Sequence, residues 1–197
     1  MKASDLFVKC LEAEGVEAIF GIPGEENADF MISILDSSIE FVVCRHEQAA
    51  AFMADMYGRM TGKPGVCLAT LGPGATNLTT GLGQANMDCS PVVGIIGQAG
   101  TYRMHKESHQ NMDAVTMFQP LTKWTTTVRD PNNIPEIVRK AFKLAVSEKP
   151  GVTVIELPED IAHGESDLEP IRGKADVEKT GIDPYRVAAA LQLIAES

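Results

Sequence analysis

Val66-Cys67-Leu68-Ala69, then Leu71-Gly72-Pro73-Gly74, then a run from Ala75 to about Met87, then Pro91-Val92-Val93-Gly94-Ile95-Ile96: this stretch reads as strand, turn, helix, strand. Both strands are short continuous apolar runs rather than alternating ones, which suits strands covered on both faces. The same alternation extends in both directions. Upstream, Ser4 is placed to cap a helix carrying Leu6, Phe7, Cys10 and Leu11, and Gly15 is placed to end it. A strand Ala18-Ile19-Phe20, a turn Gly21-Ile22-Pro23-Gly24, a helix from about Asn27 to Leu35, a strand Phe41-Val42-Val43-Cys44 and an Ala/Met-rich helix from about Glu47 to Met60 follow. That last helix is expected to pack closely on more than one side. Downstream come a long polar stretch from Gly97 to about Gln119, a strand from Thr122 to Val128, a helix from about Asn133 to Val146 and a strand Val152-Thr153-Val154-Ile155-Glu156-Leu157. The fold class is therefore α/β, a doubly wound, mostly parallel sheet with helices on both faces.

The chain has 197 residues, with 17 Lys+Arg against 27 Asp+Glu and a formal charge of −10. That balance excludes the clustered positive face that phosphate neutralisation needs, so no nucleic-acid partner is expected. With 44% apolar and 22% charged residues the composition is that of a globular protein. No window approaches the roughly 18 uninterrupted apolar residues of a membrane span, and the N-terminus lacks a signal-peptide core. No membrane partner is expected, and the cytoplasm is the expected location. Cys10, Cys44, Cys67 and Cys89 are spread singly through apolar segments and read as buried small hydrophobes rather than as metal ligands or a disulfide framework.

In an open parallel sheet, ligands bind where strand-to-helix loops converge at the carboxyl ends of the strands. Three loops here have unusual composition: Gly21-Ile22-Pro23-Gly24, Arg45-His46-Glu47 and Gly72-Pro73-Gly74-Ala75-Thr76-Asn77. The first is no dinucleotide fingerprint. It offers only Gly-x-x-Gly, with Glu25 and Glu26 where a pyrophosphate would approach, and the P-loop lysine is missing. Taken alone, Gly72-Pro73-Gly74 reads as a tight turn sooner than as a site. Glu47, in the first turn of its helix, reads either as a carboxylate placed on the helix macrodipole or as a functional group. His105 and His109 read either as solvated loop residues or as part of a site.

Taken together, Phe20-Gly21-Ile22-Pro23-Gly24, Arg45-His46-Glu47-Gln48-Ala49-Ala50-Ala51-Phe52-Met53-Ala54, Gly72-Pro73-Gly74-Ala75-Thr76-Asn77-Leu78 and Thr122-Lys123-Trp124 resemble the thiamine-diphosphate-dependent acetolactate synthase and pyruvate oxidase family. The resemblance covers about residues 1–165, that family's pyrimidine-binding (PYR) domain. It implies thiamine diphosphate as cofactor and Glu47 as the catalytic glutamate. Such a glutamate hydrogen-bonds a pyrimidine ring nitrogen and shifts the aminopyrimidine to its imino form, which removes the thiazolium proton so that the cofactor can attack a 2-oxo acid. Thr70, Pro73 and Asn77 match positions lining the pyrimidine ring, and Ile22, Pro23 and Gly24 match the loop beside it. Gln110 matches a glutamine near the reacting carbon. Biosynthetic acetolactate synthases have Phe-Gln-Glu there; His109-Gln110-Asn111 is closer to the catabolic ones.

The resemblance also implies pyruvate as the 2-oxo acid substrate, and a homodimer or tetramer whose interface uses the helices from Glu47 and Ala75. In this family, Mg²⁺ and the diphosphate are held by a Gly-Asp-Gly…Asn motif in a separate pyrophosphate-binding domain. No Gly-Asp dipeptide occurs in this chain, so Mg²⁺ is expected on a domain absent from it. FAD, where such enzymes carry it, is held mostly by a middle domain. The expected organisation is a PYR domain over 1–165, a linker over 166–182 rich in charged and turn-forming residues, and the first helix of a truncated middle domain over 183–197. The isolated chain is accordingly expected to bind the cofactor weakly and to be inactive alone. Two alternatives are a stand-alone PYR subunit of a two-chain 2-oxo acid decarboxylase and a non-catalytic assembly module. The stranded C-terminal helix argues against the first, and Glu47 against the second.

Overall fold

A computed structural model of the chain describes residues 1–104, 106–175, 177 and 181–196. Six strands form one sheet: β1 (Ala18–Gly21), β2 (Glu40–Val43), β3 (Gly65–Ala69), β4 (Val92–Gln98), β5 (Trp124–Thr127) and β6 (Val152–Pro158). Their order is β2-β1-β3-β4-β6-β5, and every pairing is parallel. The central strands β3, β4 and β6 are buried along their whole length, which is why they read as continuous apolar runs.

Successive residues of those strands feed two separate cores. Val66, Leu68, Val93, Ile95, Ile155 and Leu157 face α1 (Ala3–Glu14), α2 (Ala28–Leu35), α7 (Ile134–Val146) and α8 (Glu159–His163). Cys67, Ala69, Val92, Ile96, Val152 and Val154 face α3 (Glu47–Thr61), α4 (Pro73–Asn77), α5 (Thr79–Met87) and α6 (Ala114–Phe118). The doubly wound α/β architecture is thus present.

α3 is held closely from two sides, as its Ala-rich sequence implies. A Cβ on Gly65 of β3 would lie 2.0 Å from the Ala54 carbonyl oxygen, and one on Gly81 of α5 would lie 2.5 Å from Ala51 Cβ. Only backbone without side chains allows this approach.

Several local expectations are corrected. Ser4 does not cap α1: the helix starts at Ala3, and the buried Ser4 hydroxyl instead accepts from Ser33 Oγ at 2.8 Å. The run after Gly72 is two helices, α4 and α5, separated at Leu78. The polar stretch after β4 contains α6, and α8 follows β6 directly. Cys10 and Cys67 are buried, but Cys44 and Cys89 are half-buried; all four are free thiols.

Part of the 166–182 stretch is tied down. Ser166 N–H donates to the Met1 carbonyl at 2.9 Å, and Arg139 pairs with Glu14 while donating to the carbonyls of Ile171 and Gly173. Ala175 N–H donates to Glu14 Oε2 at 2.8 Å. Residues 176 and 178–180 of this stretch lie outside the described residues, as does Ser197. Beyond it, α9 (Pro184–Ala195) has no buried residue. No helix among the described residues is long and apolar enough to cross a membrane.

Candidate active site

The chain runs from β1 outward to β2 and then returns to β3 on the other side of β1, so the strand order reverses between β1 and β3. A crevice at such a switch point is where open α/β sheets bind ligands, because the loops after the two strands diverge to opposite faces. The loops after β1, β2 and β3 all end there, and side chains lock them together.

Gly24 N–H donates to Asn27 Oδ1 at 2.8 Å, which closes the first loop into a short turn. Thr70, just beyond β3, donates its hydroxyl to Glu26 Oε2 at 2.9 Å, tying the third loop to the first. The contact is close: a Cβ on Gly24 would fall 2.6 Å from Thr70 Cβ. Gly72 adopts φ 56° and ψ −120°, a conformation glycine tolerates and other residues do not. It turns the chain into α4, with Pro73 at the first helical position, where its missing N–H costs nothing. Asn77 closes α4 and reaches back across the crevice, donating from Nδ2 to Glu47 Oε2 at 2.9 Å.

Glu47 is the first residue of α3 and only 9% exposed. His46 caps that helix, its side chain accepting from Gln48 N–H. The helix macrodipole favours negative charge at this position, and Asn77 satisfies one carboxylate oxygen. No described residue donates to the other, Oε1, which faces Gly74: a Cβ there would lie 3.5 Å away. The carboxylate therefore keeps one oxygen without a donor among the described residues, beside Gly74.

The sequence-derived candidates fall as follows. Gly24, Glu47, Thr70, Pro73 and Asn77 converge on this crevice, and Ile22 and Pro23 lie in the loop that frames it, Ile22 N–H bonding to the Leu68 carbonyl of β3 at 3.4 Å. Gln110 joins them from the long polar loop: a Cβ on Gly72 would lie 2.8 Å from both Gln110 Cβ and its carbonyl oxygen. His109 is exposed, and His105 lies outside the described residues.

Four residues of this region were not singled out from the sequence. Glu26 is buried and holds Thr70. Asn27 carries a buried Nδ2 with no hydrogen-bond partner among the described residues, beside the same loop. Gln98 and Glu156 are buried at the carboxyl ends of β4 and β6 and bond each other at 2.7 Å. Glu156 had a legible signal, a charged residue inside an otherwise apolar strand. Burial pushes its carboxyl above the usual range, opposed by hydrogen bonds from Thr127 and Gln98.

The residues present fit the pyrimidine half of a cofactor in one feature: the Glu47 carboxylate, held by Asn77, keeps Oε1 without a donor among the described residues. Among the described residues no group of three or more His, Cys, Asp or Glu is placed to hold a metal ion.

Comparison with known proteins agrees. Residues 1–117 match the family described as "Thiamine pyrophosphate enzyme, N-terminal TPP binding domain". The chain is 43% identical, over its whole length and 34% of the relative's, to a probable acetolactate synthase large subunit of Methanocaldococcus jannaschii. It is 41% identical to an acetolactate synthase of Bacillus subtilis, over 88% of the chain and 30% of that protein. It is 40% identical to acetolactate synthase isozyme 2 large subunit of Escherichia coli, over 86% of the chain and 31% of that protein. The chain thus spans about a third of the length of the curated relatives it matches. By sequence match, the chain belongs to the thiamine pyrophosphate enzymes, and its residues 1–117 correspond to that family's N-terminal TPP binding domain.

Proposed function

We propose that this chain is the N-terminal cofactor-binding part of a longer thiamine-diphosphate-dependent enzyme of the acetolactate synthase type, which decarboxylates pyruvate and joins the remainder to a second carbonyl compound. The observation that carries the proposal is the Glu47 carboxylate, held by Asn77 at the switch point with Oε1 open toward Gly74. Bound thiamine diphosphate supplies the electron sink for decarboxylating a 2-oxo acid. The chain's own residues bind and orient. Ile22, Pro23, Gly24, Thr70, Pro73 and Asn77 would wall the pyrimidine ring. Glu47 would give or take a proton at Oε1 toward the bound cofactor, while the bond from Asn77 to Oε2 holds the carboxylate's orientation. Gln110 faces the substrate from the edge of the crevice.

Mg²⁺, the diphosphate end and any FAD belong, in this reading, to parts of the protein outside this chain. The domain boundary near 165 and the assignment of α9 to a following domain belong to the same proposal; α9 supports it by exposing Tyr185, Leu191 and Leu193. Self-association of the enzyme is supported by the outer face of α3, where Phe52, Met53, Met56 and Met60 are 40–79% exposed, and by Met87 at the end of α5. Such an apolar cluster marks an interaction surface. Four free thiols suit the cytoplasm.

The test is Glu47→Gln in the full-length protein. Loss of positioned proton transfer lowers turnover by about 10²–10⁴-fold, with the unfolding midpoint unchanged. Near-normal turnover of 2-oxo acids by the variant would overturn the assignment.

A further inference from the structure

The loop from Ala99 to Asp113 is the longest connection at the active-site end of the sheet, and it delivers Gln110 to Gly72. Its first part is secured by α8. Gly100 N–H donates to Glu159 Oε1 at 3.1 Å, Thr101 N–H to Asp160 Oδ1 at 2.9 Å, and Arg103 pairs with Glu159 at 3.2 Å. Its second part has a different problem. Gln110 sits at φ 55°, a left-handed conformation that costs a non-glycine residue about 1–2 kcal/mol, and it is exposed. A cleft of about 680 Å³, lined by Asn111, Met112 and Thr125–Thr127 among others, separates this part of the loop from β5.

What reaches across is Gln98, 3% exposed at the end of β4. Its Nε2 donates both to Glu156 Oε1 at 2.7 Å and to the main-chain carbonyl of Met112 at 3.1 Å, and its Oε1 accepts from Ala99 N–H at 2.9 Å. The amide can point only this way. Reversed, it would set its oxygen against a carboxylate and a carbonyl, and its NH₂ against an N–H. Glu156 is itself braced from the far side by Thr127 Oγ1 at 2.5 Å. A buried carboxylate thus orients an amide whose second hydrogen fixes the backbone two residues after Gln110.

We propose that Gln98, braced by Glu156, is a positioning residue that holds the strained Gln110 turn against Gly72. The assignment of Gln110 to the substrate side rests on the functional reading above; the anchoring of the loop does not.

The full-length protein is compared with Gln98→Leu and Thr127→Val. Each removes one hydrogen-bond donor from Glu156, but only Gln98 also reaches Met112. Loss of one such bond raises amide exchange across residues 106–113 by about tenfold in Gln98→Leu, while Thr127→Val leaves it as in the wild type. Should the leucine variant not fold, Gln98→Asn, too short to span both partners, gives the same readout. In kinetics, Gln98→Leu lowers kcat/KM for the 2-oxo acid, and that loss disappears in a Gln110→Ala background. Unchanged exchange over 106–113, equal loosening by Thr127→Val, or multiplicative effects of the Gln98 and Gln110 changes would each overturn the proposal. An enzyme that turns over no 2-oxo acid refutes the functional reading alone, because the exchange comparison still decides whether Gln98 anchors the loop.

Discussion

Replacing Gly24 with alanine tests how closely the active-site loops must approach. Gly24 sits at φ −146° and ψ 178°, extended backbone open to any residue, so the substitution carries no conformational cost. The obstacle is Thr70. The new methyl would lie 2.6 Å from Thr70 Cβ, 2.8 Å from Oγ1 and 2.9 Å from Cγ2. Carbon atoms rest about 3.5–4.0 Å apart, so a gap of about 1 Å must open. Thr70 cannot yield easily: its hydroxyl is tied to Glu26, and its Cγ2 already crowds Gly74, where a Cβ would lie 3.0 Å away. Overpacking of this kind costs about 1–3 kcal/mol, and a strained or broken Thr70–Glu26 bond adds about 1 kcal/mol. A total of about 3 kcal/mol lowers the melting temperature of a domain this size by about 6–12 °C. Urea denaturation followed by circular dichroism measures it directly. Gly62→Ala is the control: φ is +69° but no atom lies within 4 Å of its Cβ position, so it pays only the left-handed term of about 1–2 kcal/mol. In the full-length enzyme a displacement of about 1 Å beside the cofactor is expected to cost about 10²-fold in activity. A Gly24→Ala protein within about 0.5 kcal/mol of wild type, the range of an indifferent surface change, would refute the close-approach argument.

Two further outcomes follow from buried titratable groups. Burial pushes the Cys10 and Cys67 thiols up to about 12, and the thiolate is the reactive form. Iodoacetamide at mildly alkaline pH should therefore modify the half-buried Cys44 and Cys89 while sparing Cys10 and Cys67 until unfolding; mass spectrometry showing Cys67 labelled as fast as Cys89 in the native protein would contradict this. Glu156 has its carboxyl raised in the folded state by burial, so the unfolded chain gives up this proton first as pH rises. The folded state then loses stability from the ordinary carboxyl range up through the raised folded value, and the loss is complete above it. Relative to Glu156→Gln, the wild type should become less stable as pH increases through that window, and parallel stability–pH curves for the two proteins would refute it.

The legible parts of this molecule are those whose signal is local. A strand buried on both faces must be apolar at every position, so β3, β4 and β6 stand out from neighbours alone. α1 ends at Gly15 because a left-handed cap needs glycine, and φ there is 81°. The five-residue helices α6 and α8 escaped because one turn carries no periodicity to detect. Ser4 misled because a serine before an apolar run has the composition of a cap whether or not it occupies one; here it is buried against Ser33.

The candidate site divides the same way. The motifs around Gly24, Glu47, Gly72 and Asn77 could be read together only through a family resemblance, since nothing local to Glu47 shows that Asn77, 30 positions on, donates to it. Glu156 and Gln98 are 58 positions apart, and neither residue shows a partner in its own neighbourhood.

By itself, then, the sequence determined the alternation of buried strands and covering helices, the left-handed turns and the acidic surface, because each follows from residues a few positions apart and their direct exchange with water. The tertiary structure alone decided which strand ends became neighbours. Reversal of the strand order between β1 and β3 brings Gly24, Thr70, Asn77 and Glu47 into one crevice, and only there does a carboxylate at a helix start acquire a donor on one oxygen and an open face on the other.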